Sequence, residues 1–136
     1  MWVDTKIDVK IKLAVLWACI MSLYIYADFF TLMAPNVIDN MRVQQGDSGP
    51  LSPVILVIYA VLLIIPALMM PASVLLKAKT SRLLNLIFGI FYALFSVIII
   101  ITEGSKEWYL FYVLYQIVEL FIFFILIRTA WKWPKK

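Results

Sequence analysis

The amino-acid sequence predicts an all-α fold: an antiparallel bundle of four membrane-spanning helices with both termini in the cytoplasm. Three observations carry that expectation. Four apolar runs, residues 11–34, 53–76, 83–102 and 108–131, fill nearly all of the 136 residues. Each is close to the roughly 20 residues an α-helix needs to cross about 30 Å of hydrocarbon. The composition is 65% hydrophobic, with a mean hydropathy of +0.98. Finally, if all four runs cross, ten of the 12 Lys and Arg residues fall on one side and only Arg42 and Lys106 on the other. Positive charge of this asymmetry marks the cytoplasmic side, and it argues against a dual-topology protein.

The elements follow in order. Residues Trp2 to Lys12 alternate apolar Val3, Ile7, Val9 and Ile11 with charged Asp4, Lys6, Asp8, Lys10 and Lys12. Period two reads as a strand, but a lone strand has no partner for its ladder, so an interfacial stretch or an extension of the first helix is an equal alternative. The lysines before the first run resemble a signal peptide, yet the run exceeds 20 residues and ends in Ala34-Pro35-Asn36 without a small-residue cleavage pattern, so a retained helix is expected. The loop from Pro35 to Ser52 is rich in Asn, Asp, Gly and Gln and is expected to be the mobile outer loop. Ser52 before Pro53 reads as an N-cap with a first-turn proline. Pro66 and Pro71 interrupt the second helix and are expected to kink it, because each removes a backbone donor. Two short connections, Lys77 to Ser81 and Glu103 to Glu107, permit only antiparallel hairpins and favour an up-down-up-down bundle. Trp108 and Tyr109 at one end of the last helix, with Trp131 and Trp133 at the other, match the aromatic belts of the two interfaces.

One compact bundle over residues 1–136 leaves no room for a separate soluble catalytic domain. The net charge of +4 lies beside the apolar spans and forms no basic patch interleaved with polar aromatic sequence, which excludes nucleic acid as a partner. Histidine is absent and Cys19 is the sole cysteine, so a His/Cys metal site and an intramolecular disulfide are excluded. No serine nucleophile with a base and no phosphate-cradling glycine loop is present, so the sequence leans away from an enzyme and implies no cofactor and no catalytic residue. Acid-base isomerisation of a lipid by two carboxyls is the one reaction class that remains.

Two acidic residues inside the apolar runs carry the functional expectation. A carboxyl at the centre of a membrane helix costs about 2.5–3.5 kcal/mol and needs a partner or water. Asp28 and Glu119 are such residues, with no basic residue at matching depth, and at least one of them is expected to keep its proton at neutral pH. Small residues pack membrane helices closely. The stripes Ala14, Ala18 and Ser22 in the first helix and Gly89, Ala93 and Ser96 in the third are therefore expected to be contact faces. Asp28 falls about 40° from Ala14 around the helix and is expected to point inward. In the last helix Tyr112, Tyr115, Gln116 and Glu119 share one face at i, i+3, i+4 and i+7. Phe121, Phe123 and Phe124 are expected to face lipid or fill space, Met69 and Met70 to fill gaps beside the prolines, and Asn85 to bond carbonyls of the preceding hairpin. If the first and last helices are neighbours, both acids meet Tyr24, Tyr112, Tyr115 and Gln116, with Tyr59 and Tyr92 close by. This set suits a small cation, an amphiphile or a lipid fragment, since tyrosine faces attract cations and acids supply counter-charge. The bland alternative is a hydrogen-bonded clamp between helices in a structural or assembly protein that works with a second copy or another membrane protein. Proton-coupled transport is a weaker third reading.

The strings Lys10-Ile11-Lys12-Leu13-Ala14 with Leu16-Trp17, Tyr24-Ile25-Tyr26-Ala27-Asp28, Ile65-Pro66 with Met69-Met70, Asn85 with Gly89, Glu119, and Ala130-Trp131-Lys132-Trp133-Pro134 carry a resemblance that spans nearly the whole chain. In them the chain resembles an uncharacterised family of small four-helix bacterial membrane proteins, a domain of unknown function. The resemblance implies a multi-pass protein of the bacterial inner membrane and implies no activity.

Overall fold

A computed structural model describes residues 1–46 and 49–134. Its elements are α1 (Val9–Thr31), α2 (Val37–Arg42), a two-residue hairpin of β1 (Gln45–Gly46) and β2 (Gly49–Pro50), α3 (Pro53–Leu75), α4 (Ala78–Glu103), a 3₁₀ turn (Glu107–Tyr109) and α5 (Leu110–Trp131). Four of the helices are long and apolar enough to cross a membrane, so the chain is an all-α multi-pass membrane protein. α4 packs most extensively on α5, α1 on α3 and then on α5, and the α3–α4 contact is the sparsest of the four that close the ring. Both termini and the α3–α4 connection lie at one end, the terminal end; α2, the hairpin and the α4–α5 connection form the loop end.

Helix boundaries follow local chemistry. Asp8 caps α1, its carboxylate accepting from the Lys10 backbone N–H at 2.8 Å. The helix thus starts at Val9 and absorbs part of the alternating segment, while residues 1–8 form neither strand nor helix. Ser52 caps α3 as its sequence position predicts, its Oγ accepting from Ile55 N–H at 3.3 Å, with Pro53 in the first turn. The loop expected between residues 35 and 52 instead begins with the helix α2 and closes with the hairpin, where Gln45 pairs with Pro50 and Gly46 with Gly49. Gly49 turns with φ of 121°, open only to a residue lacking Cβ.

At the terminal end, cations satisfy the last carbonyls of the two helices that finish there. Lys10 Nζ donates to Leu76 O at 2.6 Å and to Val74 O at 3.2 Å, and Arg82 Nε donates to Ala130 O at 3.1 Å. Both side chains place positive charge at a helix C-terminus, where the macrodipole favours it.

The core is built on three helical stripes: Leu13, Trp17, Ile20 and Ala27 from α1, Ser81, Asn85, Gly89, Tyr92 and Ser96 from α4, and Gln116, Glu119, Phe123, Leu126 and Ala130 from α5. Their spacings of three and four are those of a single helix face. Trp17, Tyr92 and Phe123 form an aromatic cluster with centroids 5.9–6.4 Å apart. The expected small-residue face of α1 is corrected by this core. Ala18 and Ser22 are exposed and Ala14 is half-buried, because α1 turns its large side chains inward around Trp17. In α4 the small stripe does lie in the interface. A Cβ on Gly89 would sit 2.9 Å from Leu126 Cδ2 and 3.2 Å from Ile127 Cγ1, so α4 and α5 approach where no side chain intervenes. Phe123 is fully buried while Phe121 and Phe124 are exposed, so one ring of the run is core and two face lipid.

A buried polar network ties α1, α3 and α4 below that cluster. Trp17 Nε1 donates to Asn85 Oδ1 at 2.7 Å, and Asn85 Nδ2 donates to Ser81 O at 2.8 Å and to Ser73 Oγ at 3.1 Å. Ser81 Oγ in turn donates to Ser73 O at 3.0 Å. Asn85 thereby bonds the carbonyl of Ser81, which the sequence places at the end of the preceding hairpin and the structure places in the first turn of α4, and it also holds an indole on α1. The first of the two α3 prolines has a matching device. Pro66 has no N–H to give the Leu62 carbonyl four residues earlier, and Tyr92 Oη donates to that carbonyl at 2.7 Å. α3 runs continuously through Pro66 and Pro71 as one helix.

Candidate functional site

Helix geometry places the candidate residues. On α5, Tyr112, Gln116 and Glu119 recur at i, i+4 and i+7 and so enter the bundle on one face. On α1, Tyr24 and Asp28 are one turn apart, and Asp28 is three residues from the helix end, about 5 Å along the axis. Glu119 is nine residues from the start of α5, roughly 14 Å deep.

Between the loop-end halves of the four long helices lies a cavity of about 70 Å³. It is lined by Tyr24 and Asp28 of α1, Leu62 and Leu63 of α3, Tyr92, Phe95 and Ile99 of α4, and Tyr112 and Gln116 of α5. Glu119 is fully buried and is not part of that lining, but it lies one turn beyond Gln116 and within electrostatic range of Tyr24 and Asp28, which are. Ser96 Oγ donates to Glu119 Oε2 at 3.4 Å, long for a hydroxyl–carboxyl bond. Among the described residues Glu119 Oε1 is the one buried side-chain polar atom with no hydrogen-bond partner. Neither acid is in a salt bridge among the described residues, and the ion pairs found there are Arg42 with Asp39 at 3.6 Å and Lys106 with Glu103 at 2.9 Å, both at the loop end.

The expected site is thus divided by the structure. Tyr24, Asp28, Tyr112 and Gln116 share the cavity, joined by Tyr92, while Glu119 is buried one turn beyond Gln116 and outside the lining. Asp28 is exposed, standing at the rim rather than pointing into a sealed interior, because it is so near the end of α1. Tyr115 turns to a second cavity of about 390 Å³, lined by Phe30, Met33, Ala34, Trp108, Phe111 and Tyr115. The 100° step between Tyr115 and Gln116 is enough to put them on different sides of α5. Tyr59 is exposed on α3 and lines neither cavity.

Sequence reasoning missed two contributors. Ser96 was read only as a small packing residue, although it is the donor to Glu119. The apolar wall of Leu62, Leu63, Phe95 and Ile99 carries no polar signal; the clue was Pro66, whose position identifies Leu62 as the residue with a free carbonyl in need of a donor. Chemically, the arrangement offers carboxyl oxygens and tyrosine rings to a proton or a small cation. Among the described residues no group of three His, Cys, Asp or Glu side chains is placed to hold a metal ion.

No curated protein and no solved structure matches the chain. A family model matches residues 2–136, almost the full length, with four membrane-span-like helices inside it. The chain therefore belongs to the family of unknown function DUF6326.

Proposed function

We propose that this protein binds a small cationic group, of the size of an ammonium or methylammonium ion, in the cavity at the loop end. Asp28 at the rim and Glu119 beneath supply counter-charge, with Tyr24, Tyr112 and Gln116 orienting the ion. One observation carries the reading: the Glu119 carboxyl is fully buried and its Oε1 has no partner, one helical turn from Gln116 in the wall of a cavity that Asp28 also lines. A carboxyl oxygen held in a low-dielectric interior without a partner is costly, and a cation offsets that cost more effectively than a neutral donor. The charge bias of ten cationic residues against two supports a loop end facing away from the cytoplasm, with both termini cytoplasmic, and the family resemblance supports a bacterial inner membrane. The cavity then opens to the outer side.

Thermal unfolding of purified protein against methylammonium tests the reading. Ligand at 100 times its Kd stabilises the folded state by about 2.7 kcal/mol, so a saturable rise in Tm is expected in the natural protein, absent in Asp28→Asn and in Glu119→Gln. A flat response in all three rejects it.

One contact favours a second reading. The Ser96–Glu119 bond joins α4 to α5 and makes Glu119 a helix clamp without any ligand. On that reading Ser96→Ala and Glu119→Gln both lower stability and methylammonium changes nothing.

A further inference from the structure

We infer that the cationic group bound in this cavity belongs to a chain-bearing amine whose hydrocarbon tail leaves between α3 and α4 into the acyl region of the bilayer. The inference rests on the cation reading above and adds the class of ligand.

The cavity walls are unlike one another. α1 and α5 contribute acid, amide and tyrosine groups, whereas α3 and α4 contribute Leu62, Leu63, Phe95 and Ile99, and the Tyr92 hydroxyl among them is already committed to the Leu62 carbonyl. A bare cation gains nothing from a hydrocarbon wall opposite its counter-charge. An amine with an alkyl chain uses both sides, each part of the ligand meeting a surface of its own polarity.

Volume then limits how much of such a ligand is enclosed. About 70 Å³ corresponds to roughly two groups of water size at about 30 Å³ each, enough for an ammonium head and its first carbon. Any longer chain must pass out of the cavity.

The apolar wall is also where it opens. Leu63 and Phe95, from facing helices, are each 41% exposed although they line the cavity. The hydrogen bonds between α3 and α4 found among the described residues are Tyr92 to Leu62, Ser81 to Ser73 and Asn85 to Ser73, all at the level of Tyr92 or nearer the terminal end. No hydrogen bond found among the described residues joins the two helices nearer the loop end, and their packing is the sparsest of the ring. Leu63 is ten residues from the start of α3 and Phe95 eight from the end of α4, so the gap lies about 12–15 Å below the loop end, within the hydrocarbon.

The test uses the full chain in lipid nanodiscs with octylammonium bearing a terminal diazirine, photolysed and mapped by peptide mass spectrometry, beside a neutral octanol probe with the same diazirine. Expected is labelling concentrated on α3 and α4 around Leu63 and Phe95. Excess methylammonium displaces it, and it falls at least tenfold in D28N and E119Q, while the neutral probe marks all lipid-facing helices alike. Leu63→Trp combined with Phe95→Trp narrows the gap without replacing either acid, and is expected to weaken octylammonium binding about tenfold more than it weakens methylammonium binding. If methylammonium binds but octylammonium labels as diffusely as the neutral probe, or is weakened in the gap-narrowed variant no more than methylammonium is, the tail path is overturned and the cation site stands. If neither amine binds, the cation reading falls and this inference with it.

Discussion

The bond between Tyr92 and the Leu62 carbonyl makes a sharp quantitative prediction, because the reason for it lies in the covalent structure of residue 66. Tyr92→Phe removes one oxygen and leaves the ring in its cluster with Trp17 and Phe123. In an ordinary helix the Leu62 carbonyl would still hold the N–H of residue 66, and deleting a second donor would matter little. Here residue 66 is proline, so the carbonyl loses its 2.7 Å donor and has no helical replacement. Interhelical hydrogen bonds in membranes average about 0.6 kcal/mol with a maximum near 1.7, and an unsatisfied buried polar group costs about 1–3 kcal/mol. The overlap of these ranges sets the expected loss at about 1.5 kcal/mol. In a Pro66→Ala background the alanine N–H reoccupies the carbonyl, and the same Tyr92→Phe change is expected to cost no more than about 0.5 kcal/mol, leaving a coupling near 1 kcal/mol. Reversible unfolding in mixed micelles of increasing denaturing-detergent fraction, followed by circular dichroism, measures all four corners of the cycle. Equal losses in the two backgrounds would refute the claim that the hydroxyl serves the proline-freed carbonyl.

Three further outcomes follow from the packing. Gly89→Ala is expected to be near neutral in the same unfolding assay, since the roughly 1 kcal/mol gained in helix propensity offsets the push on Leu126 and Ile127, whereas Gly89→Val loses about 1–3 kcal/mol by overpacking. Recovery of Gly89→Val by Leu126→Ala would locate the clash. Asn85→Ala leaves the Trp17 indole N–H buried without an acceptor and is expected to cost about 2 kcal/mol, while Asn85→Asp, which keeps the acceptor oxygen, restores the indole N–H shift in an NMR spectrum of ¹⁵N-indole-labelled protein. For topology, single cysteines introduced at Thr5 and Lys132 in a Cys19→Ala background are expected to resist a membrane-impermeant maleimide in intact cells, and one at Asn40 to react. The reverse pattern would overturn the orientation read from charge.

How far the site was legible depended on how each residue announces itself. Glu119 is conspicuous because a carboxyl in the middle of an apolar run violates the transfer energetics of every neighbour, and its helical partners Tyr112 and Gln116 follow from counting turns. Asp28 is conspicuous for the same reason, but its depth was misjudged: α1 ends at Thr31 rather than at Ala34, and three residues of helix decide whether a carboxyl is enclosed or at the rim. Tyr115 shows the limit of grouping by i, i+3 and i+4, since a stripe that wide spans both sides of a helix packed on two neighbours. The small-residue stripes show the same limit. Gly89 and Ser96 mark a real contact while Ala18 and Ser22 face outward, and nothing local to α1 distinguishes them, because the choice is made by where Trp17 finds its acceptor on another helix.

Span number and the antiparallel order of the helices were determined by the chain alone. They depend on the cost of exposing backbone to lipid and on connections too short to allow anything but hairpins, and both are local properties. The caps at Asp8 and Ser52 belong to the same class. The tertiary structure decided which face of each helix is core, that α3 and α4 pack the most sparsely of the ring, and that an acid near the middle of α5 keeps one oxygen without a partner. Those outcomes depend on side chains from three or four helices competing for one interior, and in lipid, where every face is apolar, composition cannot rank the faces.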